Sequence, residues 1–142
     1  MYTALLALHF LGLALGVGAG FAQLTLTLAT RELPPAERSA FALRALALAK
    51  NGSYGLLLLI VTGASMTALR GVSATFQWGG PAFHAKLTLV VLMLGVLGYS
   101  QVSLARARRA GATPDLIKLR KLARVQLLLG MLVVLCATIA FK

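Results

Sequence analysis

The stretch PAFHAKLTLVVLMLGVLGYS, residues 81–100, decides how the whole chain is read. It is too apolar for the surface helix of a soluble protein, yet His84 and Lys86 stand at its mouth. The chain has one other histidine, His9, inside a second apolar run. Working outward, apolar residues make up 59% of the 142 and charged residues only 12%, with a mean hydropathy of +0.87. A soluble domain of this size does not tolerate that composition on its surface, so the chain reads as an integral membrane protein.

Residues 3–29, 52–69, 81–105 and 122–141 are long enough to cross about 30 Å of hydrocarbon at about 1.5 Å per helical residue. Lipid offers no partner to exposed backbone groups, so each segment is expected to be helical. The expected fold is all-α, a single four-helix transmembrane bundle over residues 1–142, with helices near 3–29, 36–69, 81–105 and 115–141. Little chain remains for a soluble domain. The opening MYTALLALHFLGLALGVGAGFAQ lacks the basic start of a signal peptide and is read as a retained first helix.

Basic residues orient the bundle. The first connection carries Arg31, Arg38, Arg44 and Lys50, and the third carries Arg106, Arg108, Arg109, Lys118, Arg120, Lys121 and Arg124. The middle connection has only Arg70, with Lys86 just inside the next helix. By the positive-inside tendency, connections one and three face the cytoplasm and both termini face the periplasm, as in a bacterial inner membrane. The net charge of +11 is then a topology signal and an attraction to anionic lipid, not a nucleic-acid patch.

Local punctuation refines the connections. Pro34 and Pro35 close one helix and open the next, with Glu37 in its first turn. The amphipathic stretch that follows is expected to run on into the second span. RGVSATFQWGGPAF, residues 70–83, reads as an outer loop, with Phe76 and Trp78 in the interfacial aromatic belt and Gly79, Gly80 and Pro81 turning into the third helix. Gly111 and Pro114 break the inner loop, and Asp115 lies at the start of the last helix. The lone Cys136 has no partner for an internal disulfide.

Both histidines fall in the outer half, at depths within about 5 Å of each other by the helical rise. His9, Gly12, Gly16 and Gly20 share one stripe of the first helix; His84, Thr88, Val91, Gly95 and Gly98 share one of the third. Each histidine heads a column of small residues. A flat macrocycle between two helices needs imidazole ligands and backbone without bulk beside its faces, which suits haem b held by His9 and His84 with Gly12, Gly16 and Gly95 lining the slot. Two plainer readings stand beside this. Regularly spaced glycines also let membrane helices pack closely, and a histidine near the interface also serves as an amphipathic group.

Other groups extend the candidate site. Lys86 lies about 200° round the helix from His84, and it or Arg70 is placed either to reach the outer headgroups or to neutralise a carboxylate such as a haem propionate. Met66 and Cys136 lie in the outer half with the histidines, a soft set that makes copper the rival metal and Met66 the rival second ligand to His9. Gln23, Tyr54, Tyr99, Ser100, Gln101 and Gln126 offer an inner-half hydrogen-bonding cluster, structural or part of a proton or quinone site. The only carboxylates are Glu32, Glu37 and Asp115, all at the inner side, so no acid/base pair or Ser/His/Asp triad forms near the histidines. Any redox chemistry falls to a cofactor.

ALLALHFLGLALG resembles the LKxLH opening of the HemJ-type protoporphyrinogen oxidases and the related CopD-like membrane proteins. FHAKLTLVVLMLGVLGY is similar to the HemJ-type third-helix pattern WLHAKLxLVxLLxxYH, and LLLGMLVVLCATIAF to its last helix. The resemblance implies an oligomeric four-helix membrane protein that binds b-type haem through His9, with His84 and Lys86 in the third-helix motif. The chain departs from it at Ser100, where the family has histidine after tyrosine, at residues 124–126, where its NEVP is missing, and after His9, where glycine and leucine replace its TWF. Haem binding withstands these changes better than porphyrinogen oxidation does. The expectation is a haem b redox protein, in electron transfer or in quinone- or porphyrin-linked oxidation, within a homo-oligomer or a larger membrane complex. Its alternatives are CopD-like copper binding and a structural subunit.

Overall fold

The computed structural model describes residues 1–140, except for the side chains of Trp78 and Ala140. The expected belt position of Trp78 and the termination of the last helix at 141 lie outside the described residues, as does Lys142. Four helices follow in order: α1 (Tyr2–Ala29), α2 (Pro35–Arg70), α3 (Val72–Arg109) and α4 (Leu116–Ala140). Each is long and apolar enough to cross a bilayer. Many leucines, valines and phenylalanines point outward, whereas among the described residues Leu56, Phe83 and Leu127 are the buried large hydrophobic ones. That distribution suits a bundle whose outer faces meet lipid tails.

Helix ends follow from local chemistry. Pro35 takes the first turn of α2, where a missing N–H costs nothing. In the preceding turn the Arg38 guanidinium donates to the carbonyls of Arg31 and Leu33, at 2.6 and 2.8 Å, satisfying backbone acceptors just past α1. Asp115 accepts the Lys118 N–H at 3.0 Å and so caps α4. Within the helices, Thr27, Ser53, Thr62, Ser65, Thr67 and Thr88 each donate to a carbonyl four residues back, so these hydroxyls need no water.

α1 and α2 form the tightest pair, in an antiparallel register that runs from Tyr2 beside Arg70, through His9 beside Thr62 and Gly16 beside Gly55, to Ala19 beside Gly52. α3 pairs with α4, α1 meets α4, and α2 touches α3 sparsely; among the described residues α1 and α3 bring no Cα atoms within 8 Å of each other. The helices therefore ring the bundle in chain order.

The middle connection differs from its expected form. Residues 72–79 are helical, and the breaks fall at two glycines with left-handed backbone, Gly71 (φ 89°) and Gly80 (φ 53°). Nothing between Ser73 and Trp78 breaks a helix, so the loop reduces to its glycine hinges. Aromatic contact holds the short segment against the span: the Phe76 ring stands edge-on to Phe83 at 5.3 Å and to His84 at 5.4 Å. Gly79 rests directly on the Phe83 side chain, a place where any Cβ would collide.

Candidate functional site

The half-buried His9 ring lies against α2. Its Nδ1 is 2.8 Å from the Thr62 Oγ1, and Thr62 is only 2% exposed. The Thr62 hydroxyl is itself 2.6 Å from the Leu58 carbonyl, which can only accept. The hydroxyl proton therefore goes to Leu58, and Oγ1 accepts from His9. It follows that a neutral His9 carries its proton on Nδ1 and keeps an unshared pair on Nε2. Gly63 makes room for this: a Cβ there would meet His9 Cε1 at 3.4 Å.

The glycines below His9 have a different task from lining a slot toward α3. A Cβ on Gly55 would fall 2.5 Å from the Gly16 nitrogen and 2.7 Å from the Gly12 carbonyl oxygen, both backbone atoms. Gly55 and Gly12 thus carry the close approach of α1 to α2, whereas a Cβ on Gly16 would meet nothing within 4 Å, and Gly20 faces Leu127 of α4. These columns are helix-packing seams of the small-residue kind.

His84 is exposed, and its Nδ1–H donates to the Gly80 carbonyl at 2.9 Å, beside the break. Thr88, Val91, Gly95 and Gly98 continue the same exposed face, and a Cβ on Gly95 or Gly98 would meet nothing within 4 Å. The structure does not bring His84 to His9. Of the two motif residues, Lys86 is the half-buried one and stands near His9. Arg70 stands with its guanidinium carbon 4.8 Å from the Tyr2 ring centroid, a cation–π contact joining the outer ends of α1 and α2.

The remaining candidates are dispersed. Met66 lies one turn beyond Thr62 on α2 and is half-buried, as is Cys136 on α4. Among the described residues no three of His, Cys, Asp and Glu gather as a metal cage. The inner polar residues make separate contacts. Gln23 donates to the Ala45 carbonyl at 2.9 Å, Gln101 to the Ser53 hydroxyl at 3.2 Å and Ser100 to the Leu97 carbonyl at 2.8 Å. The Tyr99 ring centroid lies 4.8 Å from the Lys118 ammonium, Tyr54 is exposed, and the Gln126 Oε1 is buried without a partner among the described residues.

Thr62 and Gly63 escaped the sequence reading. Their signal was the α1–α2 register, which becomes legible once Gly16 is set against Gly55, since Thr62 then falls level with His9. Comparison of the chain with protein families, curated proteins and solved structures finds no match.

Proposed function

We propose that this chain is an integral membrane haem b protein in which His9 supplies the axial ligand, with the Arg/Lys-rich end of the bundle cytoplasmic and both termini periplasmic. The single observation that supports the reading is the 2.8 Å contact of His9 Nδ1 with the buried Thr62 hydroxyl, which assigns the proton of a neutral imidazole to Nδ1 and leaves the Nε2 lone pair for a metal. Metal-bound histidines characteristically present one nitrogen to the metal while an oxygen acceptor holds the other. A haem brings its own four nitrogens, so one well-held imidazole suffices, whereas a copper ion takes its whole ligand set from side chains. When bound, haem would supply one-electron redox chemistry.

The chain's own part is to orient and to balance charge. Thr62 fixes the tautomer and ring plane of His9, Gly63 admits the ring, and Lys86 sets a positive charge near the imidazole, suited to a carboxylate such as a propionate. The likeness of the His9 and His84–Lys86 segments to HemJ-type proteins agrees with this assignment. The test is the absorption of protein purified from haem-replete cells. A Soret band with α and β bands on reduction is expected, and a colourless preparation contradicts the proposal.

A second reading, a structural subunit, draws on the glycine seam, which explains Gly12 and Gly55 without any cofactor. It requires that replacing both histidines leave the assembly and activity of the parent complex intact.

A further inference from the structure

A cleft of about 350 Å³ opens between α2 and α3 at the Arg/Lys-rich end of the bundle. Arg44 and Lys50 of α2 and Arg108 of α3 line it, together with Leu46, Ala47 and Leu104. Ala47 sits midway between the two cations of α2, so both flank a floor with little bulk. Arg108 comes from the opposite wall, one turn past Leu104. Among the described residues none of these three cations makes an ion pair or hydrogen bond, and no carboxylate lines the cleft.

A polar contact lies next to the cleft along both helices. One turn toward the middle of the bundle from Lys50 and from Leu104, the Gln101 amide donates to the Ser53 hydroxyl at 3.2 Å. This crossbar joins α2 to α3 where those helices otherwise touch sparsely. Below it three positive charges face a space walled partly by leucine. That space is at the lower end of the range for ligand pockets, of headgroup rather than whole-lipid size.

We infer that the cleft binds the phosphate-bearing headgroup of an anionic phospholipid, held by Arg44, Lys50 and Arg108, with the adjoining leucines against the start of its acyl chains. Phosphate chemistry answers the three uncompensated cations, and arginine matches phosphate oxygens in pairs. Basic pockets between membrane helices at the cytoplasmic surface take such headgroups. Apolar walls and an opening between two membrane helices favour a lipid over free phosphate as the source. The inference does not depend on haem.

The full chain in detergent micelles is titrated with phosphatidylglycerol, with phosphatidylcholine and, separately, with inorganic phosphate, reading retained lipid by native mass spectrometry and thermal stability in parallel. Phosphatidylglycerol is expected to be retained and to raise the melting temperature, phosphatidylcholine and phosphate to do neither at equal concentration. The triple variant Arg44→Gln/Lys50→Gln/Arg108→Gln is expected to lose roughly a hundredfold in lipid affinity. The control Arg120→Gln/Lys121→Gln/Arg124→Gln, at the same end on α4, should keep it. Should the triple variant fail to fold, the single Arg44→Gln and Arg108→Gln variants carry the same comparison, with a smaller loss expected in each. Equal loss in the α4 control means diffuse surface charge and overturns the site. An equal effect of inorganic phosphate overturns the lipid as ligand, and retention of phosphatidylcholine as strong as phosphatidylglycerol overturns both.

Discussion

The two faces that carry histidine are built in opposite ways. On α1, the upper part of the column headed by His9 is pressed against α2, with Gly55 lying on the backbone of Gly12 and Gly16. On α3, the column headed by His84 is exposed from end to end, with open space above Gly95 and Gly98. The same pattern of a histidine followed by small residues thus gives a closed seam in one helix and an open face in the other. Spacing tells which residues share a face, but only the neighbouring helix decides what that face does.

The sharpest way to break this contrast is to add one methyl group to each face. Gly55→Ala forces a Cβ into the backbone of α1, which has no side chain to move aside, and should cost about 1–3 kcal/mol. Gly95→Ala meets nothing and removes a helix glycine, so it should leave stability unchanged or raise it by up to about 1 kcal/mol. Unfolding in mixed detergent checks both. Equal losses would mean that the α3 face is covered in the protein as it is purified.

A smaller difference is expected at the two threonines nearest the histidines. Thr62→Val removes the acceptor of the His9 N–H and should destabilise by about 1 kcal/mol, the scale of an interhelical hydrogen bond in a membrane. Thr88 donates only to its own helix at an exposed position, so Thr88→Val should fall within about 0.5 kcal/mol of the parent. A Thr62→Val protein as stable as Thr88→Val would show that the His9 contact contributes nothing. The smallest effect belongs to Arg70→Gln, which loses the cation–π contact with Tyr2 and should cost about 0.5 kcal/mol in the same unfolding assay. A loss of several kcal/mol there would give Arg70 a larger part in joining α1 to α2 than the Tyr2 contact accounts for.

Much of the fold was readable from the chain because hydropathy and helix length leave few options in a bilayer. Four long apolar helices follow from composition, and the helix starts at Pro35 and after Asp115 follow from caps. The segment at 72–79 misled the reading because Phe76, Trp78 and two glycines are the vocabulary of a loop, whereas only Gly71 and Gly80 actually break the helix. The geometry around the candidate site was only partly legible. His9 stood out as a costly group among leucines, and Lys86 as a cation inside a span. Its partner Thr62 carried no signal of its own, since a threonine in a membrane helix ordinarily bonds to its own backbone, as this one also does. Which of His84 and Lys86 turns inward depended on the azimuth of α3 against the bundle, and that angle is set by packing with α4 and by the Gly80 break.

The most direct measurement of the central claim is a paired absorption spectrum of His9→Ala and His84→Ala, each purified from haem-replete cells beside the parent protein. The account predicts that the Soret and reduced α bands vanish or shift strongly in His9→Ala and persist in His84→Ala. Bands that persist in His9→Ala and are lost in His84→Ala would contradict it.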